Sequence, residues 1–211
     1  MSPYAELMAT SNFSFLRSGS HPGELVAAAM ALGLNGIGIA DRNSFAGVVR
    51  GYVAHRDLKE SHPGFRYIVG VRLVFADGTP DILAYPSDRE AYGRLCRMPS
   101  RRNLAKDSEK GNCVLSFADL GEFAEGQLFV FQCDETRWDA STDYLDRLVA
   151  IAPGRVWLAA AANFKGNDRA RINRIAHIAA NAGVPMLAVN DVLYHEPARK
   201  RNGCSPHTNA T

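Results

Sequence analysis

Short apolar runs, each closed by a polar or glycine-rich turn, alternate with longer stretches of helical period along almost the whole chain. That rhythm confines the fold to a mainly parallel sheet with crossover helices. The strand candidates are residues 4–8, 36–40, 67–75, 81–85, 128–132, 156–161 and 185–189. Helical period marks residues 22–32, 45–59, 88–97, 117–123, 142–150 and 168–182. Pro22 suits a first helical turn, and Gly33 is placed to close the helix it opens. Asp168 is a natural N-cap, and Gly183 followed by Pro185 ends the last helix. Asp77-Gly78 lies between apolar runs and signals a hairpin, so one pair of strands is expected to be antiparallel or splayed.

With 211 residues, 46% of them hydrophobic and 22% charged, the chain can bury a sizeable core as one large domain or two small ones, and no linker is visible. Two segments break the rhythm. Residues 100–112 (SRRNLAKDSEKGN) read as a mobile surface excursion, and residues 200–211 lack apolar period and read as a disordered tail. The folded domain is therefore expected over residues 1–199. Lys and Arg total 24 against 22 Asp and Glu, a formal charge of +2 that does not by itself argue for a nucleic-acid surface. Local clusters must carry that case. The longest apolar stretch, residues 25–34, is far short of the ~20 needed to span a bilayer, and no signal-peptide layout opens the chain, so a cytoplasmic location is expected. Cys96, Cys113, Cys133 and Cys204 are widely spaced and read as isolated thiols rather than a zinc site or disulfide framework.

In open or closed parallel sheets alike, ligands collect where strands end. The first strand here runs into Met8-Ala9-Thr10-Ser11-Asn12-Phe13-Ser14-Phe15-Leu16, the second into Asp41-Arg42-Asn43-Ser44, the third passes Gly70-Val71-Arg72, and the last reaches Asn190-Asp191-Val192-Leu193-Tyr194-His195. Read with "YAELMATSNFSFLRSGSHPGELV", "LGLNGIGIADRNSFAGVVR", "IVGVRLVFADGTPDILAYPSDREAYGRLCR" and "PGRVWLAAAANFKGNDRARINRIAHIAANAGVPMLAVNDVLYH", these segments resemble the PHP (polymerase and histidinol phosphatase) domain that opens bacterial C-family DNA polymerases. Within that group the similarity is to the error-prone, damage-tolerant alpha-subunit type, and it covers about residues 3–199.

The resemblance implies a distorted seven-stranded (β/α) barrel of PHP type, TIM-barrel-like. In active relatives, up to three metal ions at the mouth are held by His, Asp and Glu and support phosphoester hydrolysis, including 3′–5′ exonuclease proofreading. It also implies a parent enzyme that synthesises DNA across damage, with its remaining domains, DNA, damage-response proteins and the sliding clamp as partners, and no membrane.

Carried over residue by residue, the family's ligand pattern is largely missing. The His-x-His positions are Met8 and Thr10, the following acid is Arg17, the Asp-His pair is Asp41-Arg42, the Glu of Gly-Val-Glu is Arg72, and the final Asp-x-His keeps Asp191 but has Leu193. Thioether and hydroxyl groups bind hard cations poorly, and guanidinium groups repel them. The expectation is a catalytically silent scaffold without a cofactor, with Asp41 and Asp191 as weak remnant ligands. Arg17, Arg42 and Arg72 are expected to converge with the two aspartates in an internal ion-pair network, or to bind phosphate. The alternative is a metal-dependent phosphoesterase or exonuclease using Mg, Mn or Zn with an unusual ligand set.

Blander readings attach to the remaining candidates. His195 beside Tyr194 reads as a packing residue, His21 as part of the turn into the first helix, and Asn190-Asp191 as a turn cap. His55, His62 and His177 suggest no site. The basic series Arg94, Arg97, Arg101, Arg102 and Lys106 reads as a solvated face or a contact with DNA or another domain. No GxGxxG or P-loop and no GxSxG elbow is present.

Overall fold

The protein is described by a computed structural model over residues 4–103, 115–164 and 166–201. The chain divides into two compact units, one formed by residues 1–68 with 191–211, the other by residues 69–190. Seven strands take part in one sheet whose strand order is the sequence order.

In the first unit, β1 (Ala5–Ala9) pairs in parallel with β2 (Gly36–Arg42), and an irregularity interrupts the register between Glu6 and Ala9. The buried Glu6 carboxylate explains the break, since its Oε1 accepts the Met8 N–H at 2.7 Å and draws that donor from the ladder. Helix α1 (Pro22–Ala31) starts with His21 as N-cap: the ring faces the Gly23 N–H at 3.4 Å, and Glu24 accepts the His21 N–H at 2.8 Å. Gly33 follows the cap residue Leu32 at φ 71°, the left-handed turn that glycine makes without strain. Leu25, Val26, Ala29 and Met30 of α1 pack with Ile37 and Ile39 of β2 and with Phe65, and α2 (Val48–Leu58) adds Ala54 and Leu58. The late segment returns to this unit: Ala9 bridges Val192 in parallel, with Thr10 N–H to Val192 O at 2.8 Å and Val192 N–H to Met8 O at 3.0 Å.

The second unit carries most of β3 (Arg66–Leu73), then β4 (Ile82–Pro86), α3 (Arg89–Asn103), α4 (Phe117–Phe123), β5 (Gln127–Phe131), α5 (Trp138–Ile151), β6 (Val156–Ala161), α6 (Asp168–Ala182) and β7 (Met186–Val189). β4 runs against both neighbours, whereas β5, β6 and β7 pair in parallel. Two antiparallel pairs therefore replace the one expected, because a single reversed strand has two edges. Its interior register sets Ile82 opposite Phe131 and Ala84 opposite Phe129, all fully buried.

Some boundaries differ from expectation. α3 runs on past Arg97 through Pro99 to Asn103, so residues 100–103 are helical and only the rest of the expected excursion, residues 104–112, lies outside the described residues. α5 begins at Trp138, four positions before the apolar period becomes visible. The N-cap of α6 is Asn167, not Asp168. Asp168 is the first helical residue and turns its carboxylate to the Asn163 N–H at 3.0 Å and to Arg171 at 2.9 Å. The chain ends its described course in a short 3-10 helix, Pro197–Arg201, so the expected tail falls almost wholly outside the described residues. Among the described residues no helix is long and apolar enough to cross a membrane.

Candidate functional site

Eight of the nine residues singled out at the strand ends lie in the first unit: Met8, Thr10, Arg17, Asp41, Arg42, Asp191, Leu193 and His195. Met8 and Thr10 leave β1 fully buried, and Asp41 near the end of β2 is 3% exposed. The Asp41 carboxylate is surrounded by serine donors. Its Oδ1 accepts the Ser11 N–H at 2.8 Å and the Ser14 hydroxyl at 2.7 Å, while Oδ2 accepts the Ser11 hydroxyl at 2.7 Å. Ser14 Oγ in turn accepts the Arg42 N–H at 2.9 Å, and Ser14 O accepts the Arg17 N–H at 3.0 Å. One buried carboxylate thus fixes the loop after β1 against the loop after β2, a role that three charge-assisted hydrogen bonds fill well. Gly47, the residue before α2, closes over the same group: a Cβ there would lie 2.7 Å from Asp41 Oδ2.

Arg17 reaches Asp191, with Nη2 to Oδ2 at 3.7 Å and both side chains about a third exposed. Asp191 itself sits at φ 49°, a left-handed conformation that aspartate tolerates better than most residues. The Arg42 side chain is exposed. Arg72 belongs to the second unit, where its fully buried guanidinium meets Asp81 at 3.4 Å and Gln132 Oε1 at 3.2 Å. The structure therefore brings Arg17, Asp41, Arg42 and Asp191 together through the serine-held loops and gives Arg72 partners of its own.

His195 takes part in a clip between the late segment and α1. Ser20 Oγ lies 2.9 Å from His195 Nδ1 and accepts the His195 N–H at 2.9 Å. Glu24 holds Arg199 at 2.7 Å and faces His195 at 3.6 Å, and Glu196 faces the other ring nitrogen at 3.7 Å. The His21 N–H holds the Glu24 carboxyl below the usual glutamate range, outweighing burial, with Arg199 and His195 adding to the effect. Ser20, His195 and Glu196 follow the order of a nucleophile, a base and an orienting acid. However, Ser20 is fully buried and its hydroxyl is engaged twice by His195, so the arrangement fastens the chain rather than presenting a hydroxyl to a substrate. Cys133 is no better placed as a nucleophile: burial, then the Glu135 charge, pushes its thiol up to about 11.

The donors present do not suit a multinuclear cation site. Asp41 has its oxygens directed at serine donors, Asp191 at a guanidinium, and the flanking positions offer a thioether, a hydroxyl and an aliphatic chain. Among the described residues no three His, Cys, Asp or Glu side chains come together in a metal-binding group. The serine partners of Asp41 and the buried Glu6 are the site features that residue-by-residue reading of the sequence missed. The signal available was the serine-rich run Ser11-Asn12-Phe13-Ser14 beside an aspartate with no paired histidine.

Solved structures share the fold. A protein described as a metal-dependent phosphoesterase from Bifidobacterium adolescentis matches with a TM-score of 0.64 at 15% identity, covering 96% of each chain. An amidohydrolase from Chromobacterium violaceum matches with a TM-score of 0.60 at 14% identity, covering 90% of this chain and 87% of its own. At such identities the likeness shows the fold alone, the seven-stranded α/β architecture expected from the sequence. The chain belongs to the PHP domain family, whose pattern matches residues 6–184. It is 50% identical over 201 residues to an error-prone DNA polymerase of Brucella abortus and 49% identical over 201 residues to one of Rhodopseudomonas palustris. It spans 95% and 93% of its own length in these matches but only 18% of either relative.

Proposed function

We propose that this PHP domain is a non-hydrolytic part of an error-prone DNA polymerase, acting as a scaffold for the remaining domains of an enzyme that copies damaged DNA in the cytoplasm. The observation that carries this reading is the Asp41 carboxylate, whose two oxygens are taken up by Ser11 and Ser14. A hydrolytic site of this family needs lone pairs for cations that neutralise phosphate and activate water. Here hydroxyl and amide donors point at the retained carboxylate, and a guanidinium stands beside the other. The similarity to error-prone DNA polymerases supports the parent activity, with DNA, the sliding clamp and damage-response proteins as partners of the whole enzyme. The ion pairs made by Arg17 and Arg72 favour an internal network over phosphate binding at Arg17, Arg42 and Arg72.

Metal analysis of the purified chain, together with hydrolysis of single-stranded DNA and p-nitrophenyl phosphate in Mg²⁺, Mn²⁺ or Zn²⁺, tests the proposal. Substoichiometric metal and no turnover are expected. Stoichiometric metal with turnover abolished by Asp191→Ala would establish the phosphoesterase alternative.

A further inference from the structure

Within four consecutive positions of the loop after β1, three large apolar side chains stand exposed: Phe13 (40%), Phe15 (84%) and Leu16 (68%). The loop is firmly tied. The Asn12 N–H donates to Ser20 O at 2.8 Å, the Ser14 N–H to Ser11 O at 2.9 Å and the Phe13 N–H to Ser11 Oγ at 3.2 Å, while the Ser14 hydroxyl holds Asp41. Leu16 is kept at φ 61°, a left-handed conformation that a bulky side chain rarely adopts. Such strain persists only where the surroundings over-determine it, and here it accompanies apolar side chains turned to water. Their exposure costs free energy that is recovered only when they are covered.

The path by which the chain leaves this unit bears on what covers them. The outgoing stretch lies along residues 18–24, the direct continuation of the loop. Ser18 Oγ donates to Leu193 O, Glu24 holds Arg199 at 2.7 Å, and a Cβ on Gly19 would stand 3.3 Å from the Tyr194 ring and 3.5 Å from Arg199 O. Residues 202–211 contain no large apolar side chain, so they do not supply the cover. Fully extended, they reach about 35 Å at most, which keeps whatever follows them near the loop at high effective concentration. Much chain is available to do so, since the match takes up only 18% of either polymerase relative.

We propose that residues 13–16 dock in an apolar cleft on the part of the polymerase chain that follows this domain. The inference rests on the polymerase reading for that partner and adds the element by which it is seated. A loop already tied in place loses little entropy on docking. A nucleic acid is disfavoured, because residues 11–17 carry a single cation, Arg17, and it faces Asp191 at 3.7 Å.

The test is hydroxyl-radical footprinting, read by mass spectrometry, of the 211-residue chain and of the full-length polymerase that carries it, both without DNA. Phe15 and Leu16 should label readily in the first and several-fold more slowly in the second, because a docked anchor excludes water. Leu32, 76% exposed at the other end of α1, should label alike in both. Phe15→Asp in the full-length enzyme should return Leu16 to its free-chain rate. In the 211-residue chain the same change should leave the melting temperature where it was, and a lowered value would assign the ring to the domain's own fold and overturn the proposal. Equal labelling of Phe15 and Leu16 in the two proteins, or continued protection of Leu16 in Phe15→Asp, also overturns it. So does equal protection of Leu32, which reports general burial. Protection that needs added DNA, or that develops in the 211-residue chain as its concentration rises, overturns it in favour of nucleic acid or a second copy. The footprint is indifferent to bound metal and to turnover, so this proposal and the non-hydrolytic reading fail separately.

Discussion

Ser11 grips both oxygens of the Asp41 carboxylate, its backbone N–H on Oδ1 at 2.8 Å and its hydroxyl on Oδ2 at 2.7 Å, across thirty positions of sequence. With Ser14 completing the set, the aspartate has become a structural centre for two loops. Asp41→Ala is expected to destabilise the protein by about 3 kcal/mol, since buried donors lose a charged acceptor. Ser11→Ala, which removes only the hydroxyl, should cost about 1–2 kcal/mol. Urea unfolding of both variants checks the order, and equal stabilities would refute it.

Gly47 sits where any side chain would strike that carboxylate, 2.7 Å from Oδ2. Its φ of −78° is open to every residue, so space and not backbone freedom keeps it glycine. Gly47→Ala should cost about 1–3 kcal/mol by overpacking. Combined with Asp41→Ala it should cost less than the sum of the two single changes by about 0.5 kcal/mol or more, because the obstacle has gone. Strict additivity in a double-mutant cycle would show that the crowding lies elsewhere.

Arg72 is wholly buried on β3 and is held by Asp81 and Gln132. Replacing it separates charge from volume. Arg72→Met keeps most of the volume and should be the mildest change, Arg72→Ala should cost about 3–5 kcal/mol, and Arg72→Glu, which faces Asp81 with a like charge, should be worst. Thermal melting ranks them, and an Arg72→Glu variant as stable as Arg72→Met would overturn the assignment of Asp81 as partner.

The Glu24 carboxyl, held low chiefly by the His21 N–H, predicts an acid-sensitive joint. A folded-state value below the ordinary glutamate value of about 4.3 means that its stabilisation is complete above that value and is lost as pH falls through the folded-state titration. Glu24→Gln should therefore reduce stability at neutral pH and flatten its fall in the acid range. Amide exchange in residues 193–199 should rise with it, because Arg199 and His195 lose their shared partner. Parallel pH–stability curves for the two proteins would exclude this role.

The elements read best from sequence were those whose period and ends were both local. The strand at Val156–Ala161 and the helices at Phe117–Phe123 and Asp168–Ala182 stand where the pattern puts them. Reading failed where local signals competed. The polar run after Arg97 masks six further residues of α3, and the helix carries Pro99 in its interior. Of the candidate site, the expectation of few cation donors comes from Met8, Thr10 and Arg72 set against the family resemblance. The partners of Asp41 and Arg72 are not legible, because Ser11 and Ser14 lie about thirty residues from Asp41, and Gln132 lies sixty from Arg72. Such partners are chosen by the sheet's topology, which no local period encodes.

The first unit borrows its closing piece from far along the chain, the bridge between Ala9 and Val192 and the clip at His195. Residues 69–190, by contrast, form one uninterrupted stretch. During synthesis the ribosome therefore releases the later-encoded unit in full before the earlier one can be completed, so the amino-terminal strands must wait in an unfinished state for the translating chain to catch up. Pulsed amide labelling of nascent chains should find β5 and β6 protected while β1 still exchanges, the reverse of the usual order of vectorial folding.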